Sequence, residues 1–108
     1  MKTFLLILLF VVTADASQFL RDGEFDCRLV DEFAQEIMEI RQDDYMPEDK
    51  LVSSFPEAAT IERHIVKIAY TGVVRETSFQ KEAQVSMFGF YWHNGCLSLG
   101  TDFRDLGS

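Results

Sequence analysis

Two cysteines, two histidines and several groups of carboxylates are the side chains whose chemistry could go beyond packing. Cys27 and Cys96 stand far apart with no C-x-x-C arrangement, and His64 and His93 lack metal-ligand spacing to either. Glu32, Glu36 and Glu39 recur at helical spacing on one face. Carboxylates so placed can bind calcium or exchange protons, but a solvated acidic face accounts for them and is preferred. Asp43-Asp44 followed by Glu48-Asp49 is denser, yet it lacks the glycine and spacing of a calcium loop. His64 falls one step from an apolar stripe and reads as a boundary residue. His93 reads as a side chain suited to the negative end of a helix. No Ser-His-Asp order or Cys-His pair can be defended. No catalytic, cofactor-binding or metal residue is therefore assigned, and no cofactor is expected.

The densest unusual feature is aromatic. Phe88, Phe90, Tyr91 and Trp92 surround Gly89 within one short run. At about 100° per residue such a run covers every side of a helix, so these rings cannot all face one core. The surplus is covered by the rest of the chain, covered by a partner, or exposed as a binding patch. Gly89 would let another backbone approach closely. This run is the candidate interaction patch, and another protein is the candidate partner.

The N-terminus supplies the context. Lys2 precedes an unbroken apolar run from Phe4 to Val12, and Ala14 and Ala16 give a small-x-small cleavage signal. This is the pattern of a secretory signal peptide cut after Ala16. The run is about half of the roughly 20 apolar residues a spanning helix needs, so no membrane attachment is expected once it is removed. An exported chain with an even cysteine count pairs its cysteines. Here that means one bridge, Cys27–Cys96, closing a loop of about 70 residues and stabilising the fold by roughly 4 kcal/mol.

The product after cleavage keeps the formal charge of −8, because Lys2 and Asp15 cancel. Nucleic-acid phosphates and anionic lipids both call for Lys and Arg, so neither is an expected partner. Of ten Phe only Phe4 and Phe10 are lost with the leader, which leaves enough aromatic bulk for one core. Residues 17–97 are expected to form a single helical domain, with a loose polar tail over 98–108.

Helical periodicity places three main helices. The first begins near Asp22, which would cap it, and carries Phe25, Leu29, Val30, Phe33, Ala34, Ile37, Met38 and Ile40 until Gln42-Asp43-Asp44 stops it. A short helix follows over Pro47 to Val52. The second main helix starts at Ser54, whose capping box uses Glu57, carries Ile61, Ile65, Ile68 and Ala69 inward, and stops at Gly72. Val73 to Arg75 is a loop. The third starts at Thr77 or Ser78 with Gln80 as reciprocal cap. It turns Phe79, Ala83, Val85, Met87, Phe90 and Tyr91 inward, with Phe88 and Trp92 widening that face, and ends at Asn94-Gly95. In a simple up-down-up bundle Cys27 and Cys96 would lie at opposite ends, too far for a bridge whose Cα atoms must sit about 5.5 Å apart. Either the short helix adds a fourth leg, which helps only partly because it is short, or the helices cross at steep angles; the second is preferred, and the expected fold is all-α, three main helices and one short one in an irregular, orthogonally packed array closed by the disulfide.

The order of features, Cys27, then Ala34-Gln35-Glu36-Ile37-Met38-Glu39-Ile40-Arg41, then Ala69-Tyr70, then a Lys81-Glu82-Ala83 helix closing on Cys96, resembles a loose group of small bacterial exported proteins. The resemblance spans Cys27 to Cys96, and this chain departs from the group in its polar extension beyond Cys96. It implies a helical domain, a bridge between the two cysteines and a Gram-negative periplasmic address rather than an extracellular one; it implies no activity. Three functional classes remain in view: a non-enzymatic periplasmic interaction protein, a small hydrolase or metal-dependent enzyme, and a phage- or plasmid-derived accessory or immunity factor.

Overall fold

The computed structural model describes residues 19–21, 24–44 and 46–99. The leader over 1–16, the Asp22 cap, and Phe103 and Leu106 of the tail lie outside the described residues. The fold is all-α, with helices α1 (Cys27–Asp43), α2 (Glu48–Ser53), α3 (Thr60–Ala69) and α4 (Ser78–Leu99). A small antiparallel ladder of β1 (Leu20–Arg21) and β2 (Glu24–Phe25) precedes them, pairing Leu20 with Phe25 and Arg21 with Glu24. Asp22-Gly23 between the two strands is a sequence signal for a hairpin.

That ladder moves the start of α1. The cap is Asp26, whose carboxylate accepts from the backbone N–H groups of Arg28 and Leu29, satisfying two of the donors that a helix start leaves open. Its inward stripe is the expected one from Val30 through Ile40, all buried at helical spacing. The helix ends at Asp44, held at φ 56° with its N–H on the Ile40 and Arg41 carbonyls. Aspartate tolerates this left-handed geometry better than most side chains. Gln42, expected to lie in the stop, is helical and buried.

The short α2 matches its predicted span closely and buries Leu51. The second main helix does not begin at Ser54. Ser54 closes α2 instead, its hydroxyl donating to the Lys50 carbonyl at 3.1 Å. Pro56 disfavours helical backbone at Phe55, and Phe55 turns into the core. α3 starts only at Thr60. Arg63, one turn in, donates to the carbonyls of Phe55 and Pro56 at 2.5–3.0 Å and so holds that connection.

Among the described elements, α1 and α4 form the largest interface. They run antiparallel, as the descending pairs show: Cys27 with Cys96, Asp31 with His93, Gln35 with Gly89, and Gln42 with Lys81. The intervening α2 and α3 return the chain, which is how the two cysteines meet. Their Cα atoms are 5.6 Å apart and the bridge is formed, as expected. α3 packs on α1 and on α2, and Phe33 meets Phe19 and Phe55 edge-on at 5.3 and 5.7 Å between ring centroids.

The far end of α1 fixes the start of α4. Gln42 donates to the Val73 carbonyl at 2.9 Å and accepts from the Arg75 N–H at 2.7 Å. Arg41 donates to the Gly72 carbonyl at 2.9 Å and lies over the Tyr70 ring. Lys81 reaches back to the Gln42 carbonyl. These bonds satisfy the backbone of a segment that joins no helix or strand, in line with the predicted loop.

Candidate functional site

The site is built by α4, and its phase is set by covalent chemistry. Cys96 must face α1 to reach Cys27. Stepping back from it in threes and fours gives Trp92, Gly89, Phe88, Val85 and Lys81, and these are the positions that turn inward or are half-buried. The start is capped as expected: Thr77 Oγ1 accepts from the Gln80 N–H at 3.1 Å and Gln80 Oε1 from the Thr77 N–H at 3.4 Å.

The predicted inward face is therefore corrected. Phe79, Ala83, Met87, Phe90 and Tyr91 are exposed, the last three at 66, 68 and 64%. Phe88 and Trp92, expected to widen the face, form its buried part at 8 and 4%. Of the interaction patch, Phe90 and Tyr91 stand on the surface, while Phe88 and Trp92 pack within. A further correction concerns the helix end. Asn94-Gly95 does not stop α4, which continues to Leu99; Asn94 instead donates to the Phe90 carbonyl one turn back, and Gly95 causes no break. The first residues assigned to the loose tail, Ser98 and Leu99, are thus helical.

Gly89 does what its lack of a side chain permits. A Cβ there would run into Asp31 Oδ1 and sit 2.5 Å from Gln35 Cγ, so the side chains of Asp31 and Gln35 occupy the space that a side chain at this position would need. The residue next to that contact, Asp31, accepts from Gln35 and pairs with His93 Nδ1 at 3.0 Å. His93 therefore lies inside the helix, bonded across to α1, and not at a helix end. Among the described residues no serine or threonine hydroxyl is hydrogen-bonded to either histidine, and no group of three or more His, Cys, Asp or Glu is placed to hold a metal. Glu32 of the acidic row is exposed, whereas Glu36 and Glu39 are half-buried.

Beside the exposed rings runs an open groove of about 550 Å³ between α3 and α4. His64 and Ile68 of α3 form one wall; Met87, Phe90, Tyr91 and Asn94 of α4 belong to the other. Trp92 lines the groove and organises it. Its ring meets His64 at 5.9 Å, Tyr91 at 5.6 Å and Phe88 at 6.2 Å, all edge-on, the arrangement that ring quadrupoles favour. His64 thus serves as the boundary residue expected, with Trp92 as its neighbour. Such a surface offers apolar contact with a few polar groups at its rim.

Among the described residues no helix is long and apolar enough to cross a membrane. The chain matches no family model, no curated protein and no solved structure.

Proposed function

We propose that this is an exported, non-enzymatic interaction protein of the periplasm that engages another protein through the outer side of α4. The observation that carries the proposal is the exposure of Met87, Phe90 and Tyr91 along a groove, on a helix whose Phe79 and Leu97 are exposed as well. Contiguous exposed apolar surface of this kind marks contact sites, and aromatic residues dominate the binding energy of interfaces. Export is supported by the apolar leader with Ala14 and Ala16, by the Cys27–Cys96 bridge, which persists in oxidising compartments, and by the resemblance of the Cys27–Cys96 span to small exported bacterial proteins.

The test compares capture of exported-compartment proteins by the natural chain and by Phe90→Ser with Tyr91→Ser. The double variant should fold normally and lose the captured protein. Retention of the same protein at the same yield would sink the proposal. Trp92→Ala is unsuitable for this purpose, since its buried ring holds the fold itself.

A further inference from the structure

α4 carries two apolar stripes on opposite sides. One faces α1. The other consists of Ala83, Met87, Phe90, Asn94 and Leu97, every one exposed. Their intervals alternate four and three, the spacing that keeps a seam of side chains on one line of a helix facing a second helix. Phe79 and Tyr91, also exposed, flank the line. After Glu82 the helix contains no Asp, Glu, Lys or Arg through Leu99, although the chain carries a net charge of −8.

From this seam we infer that the occupant of the outer face is a second copy of this chain, α4 lying against α4 about a two-fold axis. The inference rests on the docking face proposed above and names its partner. Charge selects the occupant. A basic partner would be drawn to the acidic surfaces, not to this uncharged stripe. Two copies meeting through the faces that carry exposed Glu32, Asp43, Glu48 and Asp49 would bring carboxylates together; here they meet without like-charge repulsion, and a two-fold contact requires only that the patch complement itself.

Area agrees. With aromatic side chains of about 150–250 Å² each, the exposed parts of Phe79, Met87, Phe90, Tyr91 and Leu97 leave on the order of 600 Å² per copy. Two copies together then cover about 1,200 Å², the lower bound for a stable specific interface. The seam is short, but α4 is already held as a helix by its buried side and by the disulfide, so association need not order it.

Asn94 sets the direction. In a parallel pair it meets Asn94 of the other copy, and the two amides can satisfy each other. In an antiparallel pair centred on Phe90 it would face Met87, leaving an amide against a thioether. A single Asn in such a seam fixes register and limits the assembly to one state.

The test is sedimentation of the disulfide-bonded protein over a wide concentration range. A reversible dimer is expected. Phe90→Glu should weaken it by about 100-fold or more, because each dimer would bury two unpaired carboxylates; Met87→Lys serves as a second variant, and Trp92 emission reports that each remains folded. Asn94→Leu should keep the association and admit larger assemblies. A monomer at every concentration overturns the inference, as does a dimer indifferent to Phe90→Glu and Met87→Lys, and an unchanged Asn94→Leu dimer overturns the parallel register. A monomer that still captures a different protein through Phe90 and Tyr91 removes the second copy and leaves the proposed function standing.

Discussion

Helices α1 and α4 pack against each other along their length, yet only α4 carries large apolar side chains on the side turned to solvent. In α1 the apolar residues occupy one stripe, and Arg28, Glu32 and Asp43 mark the exposed side. Polarity thus tells that helix which way to face. In α4 apolar side chains surround the axis, so hydrophobicity gives it no direction. Orientation comes instead from two local facts: the sulfur of Cys96 must reach Cys27, and the missing Cβ of Gly89 leaves room for the Asp31 and Gln35 side chains. A helix can therefore be phased by a covalent bond and a missing Cβ, which leaves its other face open to a second role.

The sharpest break of this comparison is to truncate neighbouring rings on the two sides of α4. Trp92→Ala should destabilise by about 3–5 kcal/mol, comparable to the whole stability of a small domain. Thermal melting with the disulfide intact measures it. Replacing both Cys27 and Cys96 by Ser should cost about 4 kcal/mol, read as a loss of melting temperature, and frees α4 to rotate. Gly89→Ala should cost about 1–3 kcal/mol by displacing the Asp31 and Gln35 side chains from the α1–α4 contact, more than the up to about 1 kcal/mol that alanine contributes to helix propensity; a variant as stable as the natural chain would show that these side chains move aside freely. Gln42→Ala, at the other end of the interface, should cost about 1–3 kcal/mol in denaturant unfolding by leaving the Val73 carbonyl and the Arg75 N–H unsatisfied. Tyr91→Ala should change stability by no more than about 0.5 kcal/mol, while removing part of the proposed docking face.

Much of this architecture is legible in the residues. The α1 stripe, the short α2, the Thr77–Gln80 cap and the cysteine pairing each rest on a local pattern with one strong physical meaning. The misplaced boundaries come from patterns with two meanings. Asp22-Gly23 suits a helix cap or a hairpin turn, whereas the observed cap of α1 is Asp26, with Leu20 paired to Phe25 ahead of it. Ser54 and Glu57 have capping-box spacing, but Pro56 breaks the backbone between them and Phe55 gains more from the core. Asn94-Gly95 is a stop signal that the Cys27–Cys96 bridge overrides by holding the next residue in helical register. The candidate patch was half legible. Its aromatic excess is plain, but which two rings face outward depends on the phase of α4, and Cys96 was the one residue in the run that could have supplied it.

The two-faced character of α4 is tested most directly by tryptophan fluorescence, because Trp92 is the only tryptophan in the chain. The folded protein should emit to the blue of its denatured form and resist quenching by acrylamide, as a ring at 4% exposure must. A companion protein with Trp92→Phe and Phe90→Trp, its ring two positions away on the outer side, should emit further to the red in dilute solution and quench readily. Equal emission and equal quenching from the two positions would contradict the account.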